Sequence, residues 1–369
     1  MQPPALTPIA ASLPETVPFV GPEAIARRSG IALRARLGAN ESGFGPSPRV
    51  IAALRDAADA VWFYPDPEND DLRHALAQKL GISADEVTIG EGIDGLMSWI
   101  VRLFISPGET VVTSLGAYPT FNYHVVGYGG VLATAPYAGA HEDLEALLDK
   151  VRETGARMVY LANPDNPMGS FWPAAEVEAF AAAIPETCLL VLDEAYGELA
   201  PQGALPAIDI ARTNVLRLRT FSKAYGLAGL RCGYAIGDRR IIGAFDRVRN
   251  HFGVNRMAQV GALAALADSA YLTSVTGIIR KSCDRIAAIT ARAGLTPLPS
   301  ATNFVAIDCG RNGAFAQAIL DGLAEQGVFI RKPMSPGLDR HIRISAGPEA
   351  ELDILEAALP VALARAQGA

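Results

Sequence analysis

The chain has 369 residues, 50% of them hydrophobic and 19% charged, with a net charge of −7. That is enough apolar material for one large α/β domain and a smaller one, while the acidic balance and lack of basic runs argue against nucleic acid or an anionic membrane surface as partner. No stretch approaches a transmembrane span, nothing at the N-terminus resembles a signal peptide, and four unpaired cysteines (Cys188, Cys232, Cys283, Cys309) read as buried thiols in a reducing compartment, so the expectation is a cytoplasmic protein without a metal site.

Residues 1–36 are rich in proline, with a short helix near Glu23–Ser29, and read as an N-terminal arm that must lie across something else. Leu37–Pro48 is turn-rich and leads into an amphipathic helix around Arg49–Ala60; Tyr64-Pro65-Asp66-Pro67 breaks the chain again before a helix over Asp70–Leu80, stopped by Gly81. Strands and helices then alternate. Strands are predicted at Val87–Ile89, Thr110–Thr113, Val131–Thr134, Met158–Ala162, Leu189–Asp193, Val215–Thr220 and Cys232–Ile236. Helices are predicted at Gly95–Phe104, Thr120–Val126, Asp143–Lys150 and Ala174–Ala183. Short apolar strands in this alternation imply a mostly parallel sheet covered on both faces, with its chemistry in the loops after the strands. A long helix near Tyr271–Ala293 is followed by a strand at Thr302–Ile307, a helix at Ala314–Gln326, short strands at Val328–Ile330 and His341–Ser345, and a final helix at Glu349–Ala364. The expected organisation is an arm (1–36), a large domain (37–268) and a small α+β domain (269–369).

Of only five lysines, Lys223 alone follows an apolar strand and precedes a Gly-rich loop; with Ser222 beside it and Arg231 eight residues on, it suggests an imine-forming amine with phosphate ligands around it. Gly90-Glu91-Gly92-Ile93-Asp94-Gly95 is formally a dinucleotide fingerprint, but the next strand ends Val112-Thr113-Ser114 without the acidic residue that would hold a ribose. The same physics serves a simpler purpose, the Ile93 and Asp94 amides at a helix N-terminus holding a phosphate. Asn166 is locked between two prolines in NPDNPMG, which reads as a fixed side-chain amide. Asp193 ends four consecutive apolar residues, and a carboxylate there needs a cation; a protonated heterocyclic nitrogen would serve.

Taken together, Asn166 in NPDNPMG, Asp193 and Tyr196 in DEAY, Ser222-Lys223 in FSKAYG, and Arg231 resemble the fold type I pyridoxal-5′-phosphate aminotransferases; Leu37–Pro48 and Tyr64-Pro65-Asp66 narrow the likeness to the histidinol-phosphate aminotransferase-like branch. The resemblance implies a three-layer αβα domain with a mostly parallel sheet plus a smaller α+β domain. It implies Lys223 as imine-forming base, Asp193 on the pyridinium nitrogen, Asn166 and Tyr196 on the ring's phenolate oxygen, and Tyr118 stacked on the ring. Ser222, Arg231 and the Ile93 and Asp94 amides would hold the phosphate, and Tyr64 would reach the phosphate in a neighbouring subunit of a homodimer with shared sites. Arg343 would clamp a substrate carboxylate, Arg331 would face the distal group, and Asn40 and Phe19 would lie on the substrate side. The amino group would pass between an amino acid or histidinol phosphate and a 2-oxo acid such as 2-oxoglutarate.

The chain departs from that family at three points: Asn40-Glu41-Ser42-Gly43 replaces Asn-Glu-Asn-Pro, Gly92-Ile93-Asp94-Gly95 replaces Gly-Ser-Asp-Glu, and Phe19 stands where a phosphate-holding tyrosine is usual. These changes leave the ring contacts intact and bear on the substrate. A decarboxylase or lyase on the same scaffold would share every ring contact, and a cofactor-free interaction protein would have no use for the set.

Overall fold

The computed structural model describes residues 4–15 and 19–368; the arm prolines Pro3 and Pro18 lie outside them. The centre is a seven-stranded sheet in the order Val87–Gly90, Gly233–Ile236, Val215–Thr220, Leu189–Asp193, Met158–Ala162, Thr110–Ser114, Val131–Ala135. Gly233–Ile236 runs antiparallel to both of its neighbours, and the other pairs are parallel.

Successive side chains on each strand go to opposite cores, which makes the sheet the middle of three layers. Val111, Met158, Tyr160, Leu189 and Val191 pack with the helices Gly92–Phe104 and Pro119–Gly127. Val112, Val159, Leu161, Leu190 and Leu192 pack with Leu144–Thr154 and Ala174–Ala183. The Val87–Gly90 end is covered by Asp70–Leu80 and Arg256–Leu266. Because Val87–Gly90, beyond the antiparallel Gly233–Ile236, points the same way as the five neighbouring parallel strands, the carboxyl ends of Val87–Gly90, Thr110–Ser114, Met158–Ala162, Leu189–Asp193 and Val215–Thr220 deliver Glu91–Asp94, Leu115–Tyr118, Asn163–Gly169, Glu194–Tyr196 and Phe221–Arg231 to one edge.

A second core gathers the helices Ser269–Arg292, Gly313–Ala324 and Glu349–Gly368 around the strands Phe304–Asp308 and His341–Ser345. It also takes in Ala35 and Leu37 from the other end of the chain. Ala35–Arg36 pairs in parallel with Val328–Phe329, and the Leu37 amide donates to the Phe329 carbonyl.

Element boundaries moved in informative places. The helix expected from Gly95 starts at Gly92, whose φ of +73° suits glycine, so Ile93 and Asp94 fall in its first turn. The strand expected from Thr302 starts at Phe304, because the Ser300 and Thr302 hydroxyls bind local backbone instead of joining the ladder. The small hairpin Tyr137–Ala138 with His141–Glu142 was not foreseen. All four cysteines are free and buried.

Candidate active site

The Lys223 amine donates to the Asn40 carbonyl at 3.1 Å and lies 5.7 Å from the centre of the Tyr196 ring. Burial, followed by the nearby Arg343 and Arg231 cations, brings it down to about 8, within reach of the neutral, nucleophilic form. Asn40 adopts a left-handed backbone (φ +53°) that turns both its carbonyl and its amide inward. Its amide group donates to the Tyr196 hydroxyl at 2.9 Å and accepts from Ser345 at 2.9 Å, while Asn303 donates to its carbonyl at 3.0 Å. Asn40 is therefore a buried hub joining lysine, tyrosine and the C-terminal core.

Asp193 closes its strand 5% exposed, where an unpartnered carboxylate would be costly. The Tyr160 hydroxyl donates to one oxygen at 2.7 Å and the Ala195 amide to the other at 2.9 Å. Burial pushes it up to about 6, opposed by those two donors and by Lys223, so it is ionised at neutral pH. Tyr118 caps the helix Pro119–Gly127 within electrostatic reach of Asp94, Asp193 and Arg231, and burial raises its phenol.

An anion cup lies at the sheet edge. Arg231, itself left-handed at φ +58°, donates weakly to Ser222 Oγ at 3.4 Å and to the Ala228 carbonyl at 2.9 Å. Thr220 in turn donates to Ser222 Oγ at 2.9 Å. A Cβ built on Gly92 would sit 2.5 Å from the Arg231 guanidinium, so the helix N-terminus and the arginine share a cradle only glycine leaves open. The Asp94 carboxylate is taken by His124 at 2.7 Å, and that hydrogen bond lowers its proton affinity.

At the opposite end, Arg343 donates to the Asn166 side-chain oxygen, and its backbone is bridged to that of Arg331. Arg331 donates to the Val20 carbonyl at 2.5 Å and stacks 4.0 Å over Phe19, which brings the arm onto this end. Neither arginine forms an ion pair among the described residues, and the buried Nε of each has no partner. Burial depresses both guanidinium groups, and Arg331 is depressed further by Arg343.

Tyr64 stands apart from this cleft. It is 73% exposed and stacks on Phe252 at 4.4 Å beside Trp62, which is 82% exposed. The groups that sequence reasoning missed are supports: Tyr160 beneath Asp193, Thr220 beneath Ser222, and Asn303 and Ser345 around Asn40. Tyr160 was hidden in an apolar strand, its ring stacked on Phe121 at 4.6 Å like any core aromatic.

The donor set suits pyridoxal phosphate on its own chemistry: an amine of lowered basicity, an ionised buried acid, an open anion cradle at a helix N-terminus, and an aromatic wall. Comparison with known proteins agrees. The family model for aminotransferase class I and II matches residues 35–359. Histidinol-phosphate aminotransferase from Anaeromyxobacter sp. (strain Fw109-5) is 38% identical over 362 residues, covering 96% of this chain and 98% of the relative. The crystal structure of histidinol-phosphate aminotransferase from Sinorhizobium meliloti in complex with pyridoxal-5′-phosphate superposes with a TM-score of 0.95 at 57% identity, covering 97% of each chain. A Thermus thermophilus aspartate aminotransferase mutant shares the fold at TM-score 0.83 and 24% identity, over 98% of this chain and all of the other. The chain belongs to the class I and II aminotransferases, enzymes that move amino groups between small molecules with pyridoxal phosphate.

Proposed function

We propose that this chain is a histidinol-phosphate aminotransferase, passing the amino group of histidinol phosphate to or from a 2-oxo acid such as 2-oxoglutarate. The observation that carries this substrate reading is the bridged pair Arg331 and Arg343, two half-buried cations that form no direct ion pair among the described residues. Such a pair is costly until an anion contacts it directly. A phosphate ester in one half-reaction and a dicarboxylate in the other would each supply that anion, and the relatives named for histidinol phosphate point the same way.

Bound pyridoxal phosphate supplies an electron sink for the carbanion formed at the substrate Cα. The amides of Ile93 and Asp94, with Ser222 and Arg231, would hold its phosphate. Asp193 would keep a proton on the ring nitrogen, and Tyr160 keeps Asp193 oriented. Asn166 and Tyr196 would donate to the ring oxygen, with Tyr118 against the ring face. Lys223, its basicity lowered by burial, would hold the cofactor and would take the proton from substrate Cα. Arg343 orients the anionic group on Cα; gripping a carboxylate there favours proton loss over decarboxylation. The exposed cluster of Val61, Trp62, Phe63, Tyr64 and Phe252 suits burial against a second copy, through which Tyr64 would reach the partner's site in a cytoplasmic homodimer.

The test is a half-reaction screen. The yellow holoenzyme is mixed with single amino donors and its visible absorbance followed. Histidinol phosphate should bleach it with kcat/KM at least ~100-fold above aromatic amino acids. An aromatic amino acid that matches it would overturn the substrate assignment.

A further inference from the structure

Behind Asn166 lies a buried acidic pair that the proposed chemistry does not use. Asp165 is 2% exposed and Glu142 1% exposed, and neither meets a cation in an ion pair among the described residues. Both are held from the small hairpin. Tyr137, paired across it with Glu142, donates its hydroxyl to Asp165 at 2.9 Å, and the Met168 amide donates to the other Asp165 oxygen at 2.9 Å. Glu142 accepts from the Ala162 amide at 2.9 Å and from the Ser114 hydroxyl at 2.5 Å, stitching together the ends of two adjacent strands. The same hairpin therefore anchors the turn that presents Asn166, and Asn166 is the residue to which Arg343 donates.

We propose that Asp165 is a positioning residue for Arg343: a buried carboxylate, latched by Tyr137, that holds the Asn166 turn in register and balances the guanidinium's charge at the expense of affinity for an incoming carboxylate. Asp165 and Arg343 stabilise each other's charged forms. Burial pushes Glu142 well above the carboxylate range, with Asp165 adding to the effect, whereas Asp165 is pushed up only to about 7 because Met168, Tyr137 and Arg343 hold it down. Of the two, Asp165 is the more readily ionised and carries the pair's first negative charge. The titratable and charged groups facing it are Tyr137, Glu142 and Arg343.

A purely structural anchor and a counter-charge predict opposite signs. In Asp165→Asn the turn keeps an acceptor for the Met168 amide but loses the negative charge, so Arg343 should bind a carboxylate more tightly. In Asp165→Ala the anchor goes as well. The experiment is calorimetric titration of the holoenzyme with succinate at mildly alkaline pH, alongside steady-state KM and kcat. Asp165→Asn should lower the succinate Kd by about three- to tenfold, and Asp165→Ala should raise it. Tyr137→Phe removes a donor that favours the ionised acid and should shift the Kd in the same direction as Asp165→Asn, but less. A Kd that rises in Asp165→Asn as it does in Asp165→Ala would make Asp165 a turn anchor only and overturn the proposal, as would an unchanged Kd. The proposal rests on Arg343 gripping a carboxylate, whichever amino acid is the donor. If Arg343→Ala binds succinate as the parent does, the clamp fails and the proposal with it, whereas a failed substrate assignment leaves these Kd signs untouched.

Discussion

The two ends of the cleft are built by opposite strategies. The anion cup at the sheet edge is assembled from Gly92, Ile93, Asp94, Ser222 and Arg231, which come from loops following two strands of one sheet that flank Gly233–Ile236. It uses main-chain amides and a glycine whose missing side chain makes room for a guanidinium. The arginine end joins distant parts of the chain: Arg331 meets Val20 across 311 positions, and Arg343 meets Asn166 across 177. A rigid sheet would fix where the cofactor goes, while the end proposed to choose the substrate is a seam between arm, sheet loops and C-terminal core. One fold can thus keep its chemistry while its specificity drifts.

That contrast can be broken in four ways, of decreasing size. Lys223→Ala removes the amine common to both ends and should cost at least ~1,000-fold in kcat; the variant should not be reducible onto the cofactor by borohydride, and covalent trapping would show that the amine lies elsewhere. Gly92→Ala and Arg343→Ala should separate the ends. The first adds a methyl 2.5 Å from Arg231 at φ +73°, and should weaken cofactor affinity by ~10- to 100-fold with substrate KM little changed. The second should raise the KM for the amino donor by a similar factor while cofactor stays bound. A variant that moves both constants would show the ends are one unit.

The third test is pH. Because Lys223 is lowered from the ordinary lysine range to about 8, its neutral form appears at lower pH than in a free lysine. The rate at which stripped enzyme captures added pyridoxal phosphate should therefore rise through about pH 8 and level off. A rate still climbing near pH 10 would mean an unperturbed amine. The smallest effect is expected from Phe19→Tyr, which offers a hydroxyl at the arginine end; KM for a phosphate-bearing donor should fall by less than ~5-fold, with cofactor affinity unmoved.

What could be read from sequence follows the same divide. Asp193, Lys223 and Asn166 were legible because each polar residue interrupts or follows an apolar strand, and position alone marks it as expensive. The three-layer sheet was legible from βα alternation, including the short terminal strands. The support shell was not. Tyr160 carries its function on the tip of a core side chain, and Asn303 and Ser345 meet Asn40 only through pairings across 263 and 305 positions. Asp165 sat unremarked inside a motif read for its asparagine. The helix start was missed because glycine at Gly92 and Gly95 lowers helix propensity, although the cup requires it there.

The strand Ala35–Arg36 has a consequence for how the protein is made. Its ladder partner is Val328–Phe329, and Asn40, a few residues on, is fixed by Ser345. During synthesis these early residues emerge nearly 300 positions before anything they can pair with, so Leu37 stays uncovered while the central sheet is already able to form. Translation must pass Ser345 before all the hydrogen bonds that fix Asn40 beside Lys223 can form, so this corner of the cleft is completed only when nearly the whole chain has been made.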